Sequence, residues 1–171
     1  MAGPVHIQTV VLASSNGGKL RELGEVLAPL RVKLQPQAQF DVPEVEEIGL
    51  SFVENAIIKA RAATRHTGLP AIADDSGLEV DYLNGAPGIY SARYSGAGDE
   101  ANNARVLQEL GATPEALRSA RFQCVLVYMR HAQDYSPLVC QASWEGSILF
   151  EPRGDSGFGY DPHFLDPETG R

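Results

Sequence analysis

A mixed α/β fold in one folding unit is what this sequence predicts, and three observations carry that expectation. Apolar strand-like runs alternate with helical periodicity up to residue 110, and two long strand-like runs then follow one another at 122–129 and 138–149. The third observation is length. A chain of 171 residues is close to the size at which one domain buries about two-thirds of its unfolded surface, and no Pro/Gly/Ser linker divides it, so residues 1–171 are expected to form a single domain.

Each element has its own signal. Residues 5–13 are β-branched and apolar, and run into the turn formers Ser14-Ser15-Asn16-Gly17-Gly18. Leu20, Leu23, Val26, Leu27 and Leu30 then recur at helical spacing, which starts a helix near Lys19. A second strand is expected at 32–35. Ser51-Phe52-Val53-Glu54 fits a capping box, in which Ser accepts from a free backbone N–H and Glu reaches back, so a helix should run from there to about His66 and stop at Gly68. Residues 70–73 and 78–83 read as two strands with Asp74-Asp75-Ser76-Gly77 between them. Residues 84–98 read as a loop and 100–110 as a helix closed by Gly111. Thr113-Pro114-Glu115 should start a short helix with Thr as its cap. The last two long strands, joined by a turn with Asp134 and Pro137, should form an antiparallel hairpin, followed by a glycine-rich stretch with embedded aromatics at 153–164.

Composition excludes several classes. Apolar residues at 43% and charged residues at 21% are globular proportions. The net charge of -8 repels nucleic acid and anionic lipid, so neither is expected as a partner, and any phosphate must be held locally. No apolar run approaches the roughly 20 residues that span a bilayer, and the start of the chain lacks a basic region followed by a long apolar stretch, so a cytoplasmic location is expected. Cys124 and Cys140 sit in strand-like runs rather than a Cys-x-x-Cys pair and read as buried reduced thiols. The four histidines lack metal-ligand spacing, which argues against zinc.

Three motifs could carry chemistry. Ser14-Ser15-Asn16-Gly17-Gly18-Lys19 puts flexible backbone, hydroxyls and an ammonium at a helix start, where unpaired N–H groups favour phosphate; an ordinary strand-to-helix turn is the alternative. It is not a Walker A loop, because Ala13 and Leu20 stand where that motif needs Gly and Ser or Thr. Asp74-Asp75, with Glu46 and Glu47 upstream, supplies the hard oxygens magnesium prefers beside a substrate phosphate, or else a solvated acidic surface. Phe158-Gly159-Tyr160-Asp161 presents an aromatic face and a carboxylate on glycine-rich backbone, suited to a flat base or to a β-bulge with core aromatics. Arg93 could contact phosphate or pair with Asp81 or Asp99.

In order and spacing, SSNGGK (14–19), SFVENAIIKA (51–60), ADDSGL (73–78), GAPGIYSARY (85–94) and GFGYDP (157–162) resemble the inosine triphosphate pyrophosphatase family over nearly the whole chain. The resemblance implies a two-lobed α/β fold around a long mixed sheet, a homodimer, and Mg2+-dependent hydrolysis of ITP, dITP and XTP to monophosphate and pyrophosphate. It also implies roles. Ser14, Ser15, Asn16, Gly17, Gly18 and Lys19 would hold the triphosphate, with Lys19 as its cation; Asp75 would be metal ligand and general base; Ser76 would touch substrate. Glu46, supported by Glu47 or Asp74, would complete the magnesium site. In the segment Phe158, Gly159, Tyr160 and Asp161, Phe158 would stack on the purine and Asp161 would read its edge. Family members continue into a final helix with a Lys and a Ser-His-Arg segment that contact the base, which is not matched before this sequence ends at Glu168-Thr169-Gly170-Arg171. Two other readings stand beside this one: a Maf-type pyrophosphatase acting on modified pyrimidine nucleotides, against which the 158–161 segment argues, and a non-catalytic nucleotide sensor.

Overall fold

The structure, a computed structural model, describes residues 8–14, 17–154 and 157–170. In chain order the regular elements are β1 (Gln8–Leu12), α1 (Gly17–Leu27), β2 (Val32–Pro36), α2 (Phe52–Thr67), β3 (Ala71–Val80), α3 (Asp99–Leu110), β4 (Ser119–Met129), β5 (Leu138–Ile148) and β6 (Phe164–Leu165). Hydrogen bonding orders the six strands β2-β1-β3-β4-β5-β6. Strand β1 runs parallel to β2 and to β3, whereas β5 runs antiparallel to β6, so the sheet is mixed as the pattern required. No helix among the described residues is long and apolar enough to cross a membrane.

The chain divides into two compact units. Residues 1–75 with 125–140 form one, and residues 76–124 with 141–171 form the other.

In the first unit, Val10, Val11 and Leu12 of β1, Ala71 and Ala73 of β3, Val125, Val127 and Met129 of β4, and Ala56, Ala60 and Ala63 of α2 are each buried. Alanines at that spacing share one helix face and let a backbone come close to its neighbours. Helix α2 is bounded as its sequence demands. Ser51 Oγ accepts from the Glu54 N–H at 3.4 Å, while Glu54 Oε2 accepts from the Leu50 N–H at 2.9 Å. At the other end Gly68 adopts φ 70°, where a side chain would be strained, and donates its N–H to the Thr64 carbonyl at 2.9 Å. Arg61 Nε donates to the Ala132 carbonyl at 3.1 Å, which ties α2 to the turn after β4.

In the second unit the core comprises Leu78, Val80, Val106, Leu110, Ala120, Ile148, Tyr160 and Phe164. The Phe164 ring lies 4.6 Å from that of Phe122 and 5.4 Å from that of Trp144. Gly146 makes this possible, since a Cβ there would lie against the Phe164 ring and 2.6 Å from the Leu165 carbonyl oxygen.

Several expectations are corrected. The strands expected at 70–73 and 78–83 are one continuous strand, β3, with Asp74 and Asp75 inside it. Buried apolar positions are odd before the carboxylates (Ala71, Ala73) and even after them (Leu78, Val80), so a sequence reading sees two strands where the backbone makes one. Helix α1 begins at Gly17 rather than Lys19, and Leu30 falls in a 3-10 turn, Ala28–Leu30, after it. The loop at 84–98 holds a 3-10 helix, Gly88–Arg93. Thr113 caps nothing: its hydroxyl donates to the Leu110 carbonyl, and Pro114 takes the cap position of the 3-10 turn Glu115–Leu117. Cys124 and Cys140 are exposed, because the alternation of β4 turns Cys124 outward and β5 is solvent-facing from Leu138 to Glu145. Residues 5–7 of the first expected strand lie outside the described residues.

Candidate active site

Strand β3 delivers two carboxylates that are both buried, Asp74 5% and Asp75 7% exposed. Successive side chains on a strand leave on opposite faces, and each finds its own lysine. Asp74 pairs with Lys19 of the first turn of α1. Asp75 Oδ1 lies 3.5 Å from Nζ of Lys59 on α2, and the same ammonium is 3.0 Å from Glu47 Oε1. Sequence reasoning gave Lys59 no role, although its fixed distance from the Ser51 cap was the available signal.

Burial raises the Asp75 carboxyl above the ordinary 3.8, because the charged form is poorly solvated there. Lys59 opposes that rise, Glu47 adds to it, and the Asn55 carboxamide opposes it weakly. Asp75 Oδ2 and Asn55 Nδ2 are nevertheless both buried without a hydrogen-bond partner among the described residues. Asn55 is held by its other end, where Oδ1 accepts the Gly49 N–H at 2.8 Å. An orphaned carboxylate oxygen is costly unless a proton, a water or a cation meets it, so the residues fit a hard divalent cation. Glu47 is the acidic neighbour that shares a lysine with Asp75, whereas Glu46 faces solvent. No group of three His, Cys, Asp or Glu among the described residues is gathered as a closed metal cage.

Of the glycine-bounded turn, Ser14 is half-buried, Gly17 and Gly18 open α1, and Lys19 follows; Ser15 and Asn16 lie outside the described residues. Ser76 is half-buried, directly after Asp75 on β3.

The aromatic segment sits in the second unit. Phe158 is 67% exposed, while Tyr160 is buried and donates its hydroxyl hydrogen to the Ser91 carbonyl at 2.8 Å. Asp161 turns back on its own loop, where Oδ2 accepts the Phe158 N–H at 3.0 Å. Gly157 is required there, for at φ +102° its Cβ would lie 2.7 Å from that oxygen. Arg93 packs over the Tyr90 ring at 5.4 Å, and Asp81, one of its candidate partners, is taken by Arg121 at 2.8 Å.

Fold and site together define a mixed α/β protein with a buried carboxylate and lysine centre on its third strand. The chain belongs to the Ham1 family, whose model matches residues 10–171. It is 60% identical over 161 residues to a protein of Thioalkalivibrio sulfidiphilus named dITP/XTP pyrophosphatase, covering 93% of this chain and 82% of that one. A protein of Shewanella oneidensis with the same name is 62% identical, covering 93% and 78%. The solved structure of a HAM1 protein from Coxiella burnetii superposes with TM-score 0.91 at 51% identity, covering 96% of this chain and 84% of that one.

Proposed function

We propose that this chain hydrolyses dITP, ITP and XTP to the monophosphate and pyrophosphate, clearing deaminated purine nucleotides from the nucleotide pool. The observation that carries the reading is Asp75: a buried carboxylate with a raised pKa and one unpartnered oxygen, in a chain 60% identical to a protein named dITP/XTP pyrophosphatase. A base poised nearer neutrality is the group such a hydrolysis needs.

Asp75 takes a proton from the water that attacks the α-phosphorus. The new P–O bond forms as the bond to the bridging oxygen breaks, and pyrophosphate leaves with that electron pair. Lys19 and the backbone at the start of α1, with Ser14, Ser15 and Asn16, hold the phosphates; Lys59 sets the charge around Asp75; Ser76 touches substrate. Asp75 with Glu47 or Glu46 would hold magnesium, which would supply neutralisation of the phosphate charge, in keeping with its habit of taking one or two carboxylates plus phosphate oxygens. Phe158 stacks on the base, and Gly159, Tyr160 and Asp161 form the turn that carries it. Asp161 keeps Oδ1 for the base edge, its Oδ2 being used on the Phe158 amide. Donors to the 6-oxo group select against adenine, whose amino group leaves them unsatisfied at a cost on the order of 1–3 kcal/mol; guanine has the same 6-oxo group, so its 2-amino group must be excluded by other means. A homodimer and a cytoplasmic location belong to the same reading.

The test is a panel of ITP, dITP, XTP, GTP and ATP with magnesium, scored for pyrophosphate and orthophosphate. Pyrophosphate from the first three, and little from the last two, is expected. Orthophosphate as the first product rules out attack at the α position, and nucleotide binding without turnover identifies a sensor.

A further inference from the structure

Helix α3 departs from its own pattern at the residues that meet the Phe158 turn. Asn103, Val106 and Leu110 fall on one helix face by their spacing, and all three are buried, Asn103 8% exposed. An asparagine in an otherwise apolar stripe needs partners. Its Nδ2 donates to the Gly159 carbonyl at 2.7 Å and to the Asp99 carbonyl at 3.0 Å. Asp99, the first residue of α3, likewise spends its carboxylate outside the helix. No side chain caps α3 at Gly98, and Asp99 Oδ2 accepts the Gly159 N–H at 3.0 Å.

Gly159 is therefore gripped through both its N–H and its C=O, so the two peptide planes on either side of it are fixed. Without that grip a glycine at φ +58° with open space around it would be the freest point of the turn. Tyr160 adds a third anchor through the Ser91 carbonyl, which also accepts from Asn102 Nδ2 at 3.3 Å. Phe158, 67% exposed, directly precedes these fixed points, and its own N–H donates to Asp161 Oδ2 at 3.0 Å.

We propose that Asp99 and Asn103 are positioning residues for base recognition: they lock the backbone of Gly159 so that the exposed Phe158 ring is presented ready to stack on the purine. The inference rests on the reading of Phe158 as the base-stacking residue. Pre-ordering one aromatic lowers the entropy lost on binding, so the clamp acts on affinity for the base and leaves the phosphate chemistry alone.

The test is a double-mutant cycle read by calorimetric binding of IMP and by KM and kcat for ITP. Phe158→Ala is expected to weaken IMP about thirtyfold, the scale of one lost stack. Asn103→Ala and Asp99→Ala are each expected to weaken IMP and raise KM about tenfold, the scale of one lost hydrogen bond, with kcat changed less than about twofold. Asp99→Asn keeps an acceptor and is expected to restore binding. Combined with Phe158→Ala, neither clamp variant should weaken IMP further, because the ring they position is gone. Additive losses overturn the clamp, as does a fall in kcat at unchanged KM. If Phe158→Ala leaves IMP binding intact, the stacking role itself is wrong and the clamp goes with it; if it weakens IMP while both clamp variants do not, the clamp alone is wrong. Should Asn103→Ala fail to fold, Asp99→Ala, at an exposed position, carries the cycle.

Discussion

Lys59 holds its ammonium 3.5 Å from Oδ1 of Asp75, yet the Asp75 carboxyl still titrates above its ordinary value. Burial is the largest influence and outweighs the neighbouring cation, and Glu47, 3.0 Å from the same ammonium, adds to the rise. Removing either neighbour should move Asp75 in opposite directions. Lys59→Met takes away a group that lowers the pKa and is expected to raise it further; Glu47→Gln takes away one that raises it and is expected to bring it down. A carboxyl carbon NMR titration of the metal-free protein reads both shifts; no movement in either variant would show that the three side chains are not coupled, and movements of the same sign would overturn the assigned directions.

Asp75→Asn separates chemistry from stability. If Asp75 is the base proposed above, its loss is expected to reduce pyrophosphate release from ITP by about 10²–10⁴, with nucleotide binding largely kept. Stability should change the other way. A carboxyl whose folded pKa is raised contributes stability that is complete below its unfolded value of 3.8 and is lost as pH rises through the folded one. At neutral pH the charged form is therefore a burden, and the neutral amide should raise Tm. A variant that melts lower than wild type at neutral pH contradicts the burial argument.

The Lys19 ammonium pairs with Asp74 and, in the proposed function, also holds phosphate. Lys19→Met leaves a carboxylate only 5% exposed without that partner, which should cost about 1–3 kcal/mol and lower Tm by roughly 2–4 °C for each of these. Adding Asp74→Asn removes the stranded charge. The double variant is expected to recover its melting temperature while turnover of ITP stays about 10²-fold down, since the phosphate cation is still missing. Recovery of both together would make Lys19 a purely structural residue.

How much of this was legible depends on whether a feature is local. The Ser51 cap, the Gly68 stop and the existence of β4 and β5 as strands are set by neighbours within a few residues, and the chain displays them. What partners a given acid is not local. The pairings Lys19 with Asp74, |i−j| of 55, and Lys59 with Asp75 depend on which helix comes to which face of β3. Strand β3 itself reads as two because its buried positions change parity at the carboxylates. The exposure of the cysteines is hidden for a related reason: apolar residues mark a strand but do not say which face is covered. The clamp on Gly159 was invisible for the same cause, as an asparagine in a helix stripe shows a missing partner without naming it.

Asp134 is expected to make the turn between β4 and β5 sensitive to acid. Its carboxylate is 2% exposed and accepts from Arg130 Nη2 at 2.6 Å, Arg130 Nε at 2.8 Å, the Arg130 N–H at 3.1 Å and the Ser136 N–H at 3.0 Å. The Arg130 guanidinium, with these amides, holds the carboxyl well below its ordinary 3.8 in spite of burial. A depressed carboxyl contributes stability that is present above its unfolded value and is lost as pH falls through the folded one. Asp134→Asn is therefore expected to melt below wild type at neutral pH, with a gap that stays level down to about pH 5 and closes only in stronger acid. Thermal melts of the two proteins across that range measure the gap directly. A gap that widens on acidification would mean that Asp134 is protonated in the folded protein and that Arg130 does not hold it.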